Sequence, residues 1–316
     1  MGIVSQPVIE TVRLSKSYRA GFGMRRVQAL IDLNLQVEKG EIFGFLGPNG
    51  AGKTTTIKIL IGLTKPTQGF ATLFGKPPRN HQIKRRVGFL PESPYFYEYL
   101  TAREFLTLAG QLSGLNRNEI GDRVRQVLRM VRMEDAAGQQ MKGFSRGMLQ
   151  RIGIAQALIG DPELVILDEP MGGLDPIGRK EFRDIIVSLR DQGKTVFFST
   201  HILADVEMIC DRVGIIVAGR MVKVGRLSEI IGAEVESIDV TLKGVEGRFR
   251  KAFERIAQRS LVSDGMLMLT VRNEEEVEKV LAIAREADAR VVAIVPRTRT
   301  LEDFFMQQVK KAKEGS

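Results

Sequence analysis

Cysteine is almost missing: Cys210 stands alone among 316 residues. An internal disulfide is therefore excluded, and this sparing use fits a reducing compartment. Histidine occurs only twice and tyrosine four times. No uncharged apolar run approaches the roughly 20 residues that a bilayer-spanning helix needs. The opening MGIVSQPVIE has no charged segment leading into an apolar core, so no signal peptide is expected. There is no internal repeat and no low-complexity segment. Any work at a membrane is expected to be done from outside the hydrocarbon.

What is present is ordinary for a globular chain: 43% hydrophobic and 27% charged residues, with length for one or two domains. The net charge is +9. Basic residues gather in KRR (84 to 86), RFRKAFERIAQR (248 to 259) and KKAK (310 to 313). Such clusters attract nucleic acid or an anionic membrane surface, or they are solvated helix faces. They are scattered and lack the interleaved aromatics that base stacking requires. Solvated faces are the better account, and nucleic acid is not an expected partner.

The hydrophobic pattern predicts an α/β chain. VIETVRLSKSY and VQALIDLNLQV (8 to 37) read as an antiparallel β-region. EIFGFLG is a buried strand running into a Gly-rich loop, and TTTIKILIGL is the helix after it. Residues 101 to 132 are helical without strand signals, which predicts a helical insert over about 93–145. ELVILDEP is a second buried strand, RKEFRDIIVSLRDQG a helix, KTVFFSTH a third strand, and DRVGIIVAGRMVKVG a hairpin closing on Gly219-Arg220. Strands alternating with helices predict a mostly parallel sheet. From about 233 the order becomes strand, helix, strand, helix, strand, helix, a small α+β domain over 233–316 following a domain over 1–232. That second domain carries no catalytic signature and is expected to regulate or dock.

Two strand ends carry chemistry. GPNGAGKT (47 to 54) matches G-x-x-x-x-G-K-[ST] between a strand and a helix. Its glycines let backbone N–H groups wrap phosphate oxygens. Lys53 adds a charge at the β- and γ-phosphates, and the Thr54 hydroxyl suits Mg2+. LVILDEP (164 to 170) ends in adjacent carboxylates, and parallel sheets bind ligands beyond their carboxyl ends. Asp168 suits Mg2+, and Glu169 faces the γ-phosphate and polarises an attacking water. His201 follows the third strand, from where it can donate to the γ-phosphate. Asp175 in GGLDP sits on a loop that can set a partner against the site. GFSRGMLQRIGIAQAL (143 to 158) reads as a helix N-capped by Ser145, with Gly147 permitting close approach of an anion and Ile152, Ile154, Ala155 and Leu158 facing inward.

Together these motifs resemble the ATP-binding-cassette (ABC) family of transporter ATPases over residues 7 to about 230, in family order. The resemblance implies an ATP-hydrolysing P-loop NTPase with ATP and Mg2+ as ligands. The phosphate loop is Gly47, Pro48, Asn49, Gly50, Ala51, Gly52, Lys53, Thr54 and Thr55. Tyr18 falls where the family stacks adenine, Asp168 and Glu169 are its metal-binding and catalytic acids, and His201 is its switch histidine. In this family the helix opened by Ser145 and Gly147 caps the γ-phosphate held by a second cassette. A homodimer is therefore implied, with Asp175 on its dimer-facing loop.

The family's usual signature Leu-Ser-Gly-Gly-Gln is here Phe-Ser-Arg-Gly-Met, with Arg146 and Met148 as the changed positions. Glu92 stands where Gln is common and still offers a hard oxygen to Mg2+. These variants, with LEDFFMQQ near the C-terminus, look like the branch serving exporters whose transmembrane permease is a separate chain. Such a subunit sits peripherally on the cytoplasmic face of the membrane. Tyr95, Phe96, Tyr97 and Tyr99 fall where the family meets its membrane subunit; packing within the helical insert is the competing account. Two rivals stay open: an ABC-type ATPase acting on ribosomes or nucleic acid, and an ATP sensor in which Glu169 is idle.

Overall fold

In the computed structural model of the chain, residues 6–20, 25–231, 235–298 and 300–314 are described. Apolar alternation produces two long strands, β1 (Ile9–Ala20) and β2 (Arg25–Val37). Then come β3 (Ile42–Leu46), α1 (Lys53–Leu60), β4 (Gln68–Leu73), α2 (His81–Lys84) and β5 (Val87–Leu90). The expected insert holds α3 (Ala102–Leu112) and α4 (Arg117–Met130). Helix α3 opens on a capping box in which Thr101 and Glu104 satisfy each other's backbone amides. Next are α5 (Arg146–Leu158), β6 (Leu164–Asp168), α6 (Pro176–Asp191), β7 (Thr195–Thr200), α7 (Leu203–Ile209), β8 (Arg212–Val217), β9 (Arg220–Gly225) and α8 (Leu227–Ile231).

These strands form two sheets. One has the order β5-β6-β7-β3-β8-β9, parallel except for the β8–β9 hairpin at its edge. Its inner strands β3, β6 and β7 are buried at every residue, as expected of a sheet covered on both faces. Phe197 of β7 stacks on Phe43 at 5.8 Å between ring centres and leans on Phe45 at 5.4 Å. The other sheet, β2-β1-β4, is antiparallel. The α/β class with parallel sheet, antiparallel region and helical insert is thus as the sequence pattern predicts.

Several details differ from expectation, among them the short helices α2, α7 and α8, for which no pattern is read in the sequence. The hairpin turns on Ala218-Gly219, one residue earlier than expected, because Val217 pairs with Arg220. Both turn residues are left-handed (φ 47° and 78°), as a two-residue turn requires. Helix α6 starts at Pro176, three residues ahead of the predicted RKEF run, since Asp175 caps it. Strands β4 and β5 are absent from the sequence reading: β4 is interrupted by left-handed Gly69, and β5 has only four residues.

The chain divides into two compact units, Met1–Leu227 with Gln308–Ser316, and Ser228–Gln307. The second contains β10 (Val235–Lys243), α9 (Gly247–Ile256), β11 (Arg259–Ser263), β12 (Met266–Val271), α10 (Glu274–Glu286) and β13 (Arg290–Thr298); α11 (Leu301–Glu314) follows. Its antiparallel sheet has the order β11-β12-β10-β13, a β-α-β-β-α-β succession. Ile238, Val240, Leu242, Leu267, Leu269 and Val271 turn to one face and pack on Phe253, Val277 and Val280 from the two helices. Strand β11, unpredicted, leaves Leu261 and Val262 exposed.

Phe197 is fully buried between two aromatic neighbours. Phe197→Ala is expected to cost about 3–5 kcal/mol through lost contacts and an incompletely collapsed cavity. Urea unfolding followed by circular dichroism measures it.

Candidate active site

The sheet brings the chemistry together by register. Leu46 of β3 pairs with Thr200 of β7, and Asp168 of β6 pairs with Ser199. The carboxyl ends of three neighbouring parallel strands therefore stop at one level, and the residues after them face one cleft. The loop after β3 climbs into α1 through Gly52, whose φ is 109°. A Cβ there would lie 2.6 Å from the Ala29 carbonyl oxygen, so only glycine fits both the turn and the space.

Lys53 is the first residue of α1 and is buried. Its Nζ donates to the carbonyl oxygens of Gly47 (2.7 Å) and Pro48 (3.2 Å) and lies 3.0 Å from Glu169 Oε1. Glu169 follows β6 in a left-handed conformation, φ 47°. Its amide donates to Ser199 Oγ (3.0 Å), and the Ser199 hydroxyl donates to Asp168 Oδ1 (2.6 Å). Glu169 Oε2 lies 2.8 Å from His201 Nδ1. Glu169 Oε1 is buried and makes no aligned hydrogen bond, so charge alone binds it to Lys53. Thr54 Oγ1 points at Asp168 Oδ1 across 3.5 Å.

A cleft of about 310 Å³ opens here, lined by Ala29, Asn49, Gly50, Gly52, Lys53, Thr54, Thr55, Glu92 and Glu169. The donor set fits a polyphosphate with a hard cation. A hydroxyl and a carboxylate converge at Thr54 and Asp168, and a buried ammonium is held by carbonyls that a phosphate can replace. Among the described residues no cluster of three or more His, Cys, Asp or Glu side chains could hold a metal. A cation here depends on hydroxyl and phosphate oxygens as well. Tyr18 pairs with Val27, two residues from Ala29. A register irregularity leaves Ala29 unpaired with β1, and Tyr18 itself does not line the cleft. Tyr18 is 39% exposed, with Lys16 Nζ 5.0 Å from its ring centre.

Ser145 caps α5 by accepting from the Met148 amide (3.3 Å). Asp175 caps α6 by accepting from the Gly178 amide (2.7 Å). Ser145, Arg146, Gly147 and Met148 share a cavity of about 410 Å³ with Gly173, Leu174 and Asp175. That cavity has no lining residue in common with the phosphate-loop cleft. The described structure thus keeps Ser145, Gly147 and Asp175 together, apart from Lys53 and Glu169. Arg146 lays its guanidinium over left-handed Gly173, where a Cβ would come within 2.5 Å of it.

Sequence reasoning missed two residues. Ser199 organises both acids, and its signal was a hydroxyl two residues before His201. Gln150, buried on α5, donates to the Pro170 carbonyl (2.8 Å) and ties that helix to the segment after Glu169; its signal was a polar residue on an apolar helix face.

A P-loop nucleoside-triphosphatase core is the class that this fold and this set of strand ends define. Comparison with known proteins narrows it. The family model described as ABC transporter matches residues 30–172. An uncharacterized ABC transporter ATP-binding protein of Synechocystis is 44% identical over 311 residues, covering 96% of this chain and 85% of that protein. A Nod factor export ATP-binding protein I of Cupriavidus metallidurans is 36% identical over 279 residues, covering 87% and 90%. The structure of a dimeric ATP-binding cassette in a post-hydrolysis state, bound to ADP and Pi, is similar with a TM-score of 0.63 and 26% identity, covering 69% of this chain and 98% of that one. The chain belongs to the ATP-binding subunits of ABC transporters, a family of ATPases that uses ATP with Mg2+.

Ser199→Ala removes one acceptor and one donor that are both buried. It is expected to cost about 1–3 kcal/mol of stability, because the Glu169 amide is left unsatisfied. Thermal unfolding against wild type checks it.

Proposed function

We propose that the protein hydrolyses ATP as a homodimer and powers export through a transmembrane permease encoded as a separate chain. The observation that carries this reading is Glu169, held between Lys53 and His201 beside the phosphate loop. In the ATP complex the Lys53 ammonium turns from the Gly47 and Pro48 carbonyls to the β- and γ-phosphates. Glu169, released from Lys53, takes the proton of the attacking water. His201 holds the Glu169 carboxylate through its 2.8 Å contact in the free site and, in the ATP complex, turns its ring N–H to the γ-phosphate. The phosphate-loop amides stabilise the charge that develops on the transferred group, so catalysis is positioning and electrostatics. Thr54, Asp168 and Glu92 would hold Mg2+, which would supply positive charge against the phosphates. Tyr18 stacks on adenine.

Ser145 and Gly147 cap the γ-phosphate of the second subunit's ATP, with Asp175 beside them at the dimer interface. The separation of the two cavities supports this reading, as does the dimeric assembly of the similar cassette. Export is supported by the relative named for Nod factor export. The permease contact is assigned to Tyr95, Tyr97 and Tyr99, which are exposed with successive ring centres 6.2 and 6.0 Å apart, whereas Phe96 turns inward onto Phe105. No helix among the described residues is long and apolar enough to cross a membrane. In this reading the subunit works peripherally on the cytoplasmic face of the membrane. The domain over 233–316 regulates or docks. Its exposed apolar strand residues, such as Leu261, Met268 and Val295, are aliphatic, which gives no support to base stacking and the nucleic-acid alternative.

Glu169→Gln is expected to keep ATP binding and to lower turnover by on the order of 10²-fold or more. Steady-state phosphate release checks it, and turnover within a few-fold of wild type rules the role out.

Assembly in trans has its own test. Lys53→Ala spoils the loop and Ser145→Arg blocks the capping helix, so each homodimer has two damaged sites. A mixed dimer has one doubly damaged site and one intact site. Mixing is expected to restore ATPase activity in proportion to the mixed dimers formed. No recovery in verified mixed dimers, while a tethered one-site dimer turns over, overturns the assignment.

A further inference from the structure

Asp175 and His201 belong to different loops, but the helices that follow them are joined by a buried ion pair. Arg183 of α6 donates from Nη1 to Asp205 Oδ1 of α7 at 2.8 Å. Asp205 is 1% exposed and Arg183 17%. No donor among the described residues reaches Asp205 Oδ2. The charge of this buried carboxylate therefore rests on Arg183 alone, and drawing the helices apart would strand it.

Each helix is also locked to its loop. The Asp175 carboxylate caps α6, and Arg179 Nε donates back to the Leu174 carbonyl oxygen at 3.2 Å. The turn over 173–175 consequently moves with α6. On the other side, α7 begins two residues after His201, and the Ile202 amide donates to Thr200 Oγ1 at 3.0 Å, bracing the bend between β7 and α7. Arg183 lies eight residues beyond Asp175, roughly 12 Å along the helix. Asp205 lies four residues beyond His201.

We propose that Arg183 and Asp205 are a positioning pair that ties the Asp175 turn to His201, so that closure of this turn against a second copy of the chain is transmitted to the carboxylate of Glu169. The pair lines neither the phosphate-loop cleft nor the cavity at the start of α5. It acts through α6 and α7, and through the 2.8 Å contact of His201 with Glu169. The inference rests on the ATPase reading above and gives the Asp175 loop a mechanical output.

The chain's two histidines make the test direct. Full-length protein labelled at histidine Cε1 gives one carbon signal for His201 and one for His81, and His81→Gln identifies them. Arg183→Met with Asp205→Leu removes both charges together, which avoids stranding the carboxylate. Arg183→Lys keeps the charge. Asp175→Ala is expected to shift the His201 signal in the wild-type and Arg183→Lys backgrounds, and to leave it unmoved in the Met–Leu background. In turnover, the Met–Leu pair is expected to lower kcat about tenfold with KM for ATP within about twofold, and adding Asp175→Ala lowers it by less than about twofold further. A purely structural pair predicts instead that two sites this far apart add, so that the losses multiply. Multiplying losses, or a His201 signal indifferent to Asp175→Ala in wild type, overturns the proposal. If the Met–Leu protein is poorly folded, Arg183→Ala with Asp205→Ala, which likewise removes both charges, replaces it with the same expected outcomes. Failure of the ATPase reading is seen separately, as undiminished turnover in Glu169→Gln.

Discussion

The site depends on one buried carboxylate. Glu169 is 9% exposed, and it reaches Lys53 with one oxygen and His201 with the other. A charge this deep persists only when it is compensated. The compensation comes from two other strand ends: Lys53 closes the loop after β3, and His201 follows β7. Ser199 fixes the backbone beneath by accepting from the Glu169 amide and donating to Asp168. Three loops that are remote in sequence thus share one electrostatic constraint, and the flush register of β3, β6 and β7 is what lets them meet it.

Around that centre the molecule separates two kinds of surface. The phosphate-loop cleft and the cavity at the start of α5 are built from different residues. They remain connected through buried contacts: Gln150 bonds the Pro170 carbonyl just beyond Glu169, and Arg183 bonds Asp205 just beyond His201. The proposed dimer rests on these helix starts and on the polar ties that run inward from them. Arg146 adds a feature of its own, since it covers Gly173 at a position where the usual family signature has glycine.

Much of the first unit was legible because its signals are local. A Gly-rich loop between a buried strand and a helix reads as a phosphate loop without tertiary information. Paired acids at the end of an apolar run read as a strand end, and Ser145 before an apolar face reads as a cap. The unread strands had weak local signals. Strand β4 contains a left-handed glycine, β5 is only four residues long, and β11 carries polar residues on both sides of two aliphatic ones. Each holds its conformation by pairing with a stronger neighbour.

The sequence by itself determined where a Gly-rich loop joins a strand to a helix, where paired acids end a buried strand and where Ser145 caps a helix, because these features follow from side-chain chemistry and backbone freedom at fixed spacing. It also determined the alternation of strand and helix, and so the parallel sheet. Only the tertiary structure decided that Lys53 and His201 grip the same carboxylate, that Ser199 lies beneath both acids, and that Ser145 is kept apart from Lys53. These relations depend on strand order and register, β6-β7-β3, in which the β7–β3 pairing joins segments more than a hundred residues apart. Such pairings are set by how buried strands and their covering helices pack, and no local run of sequence encodes that packing.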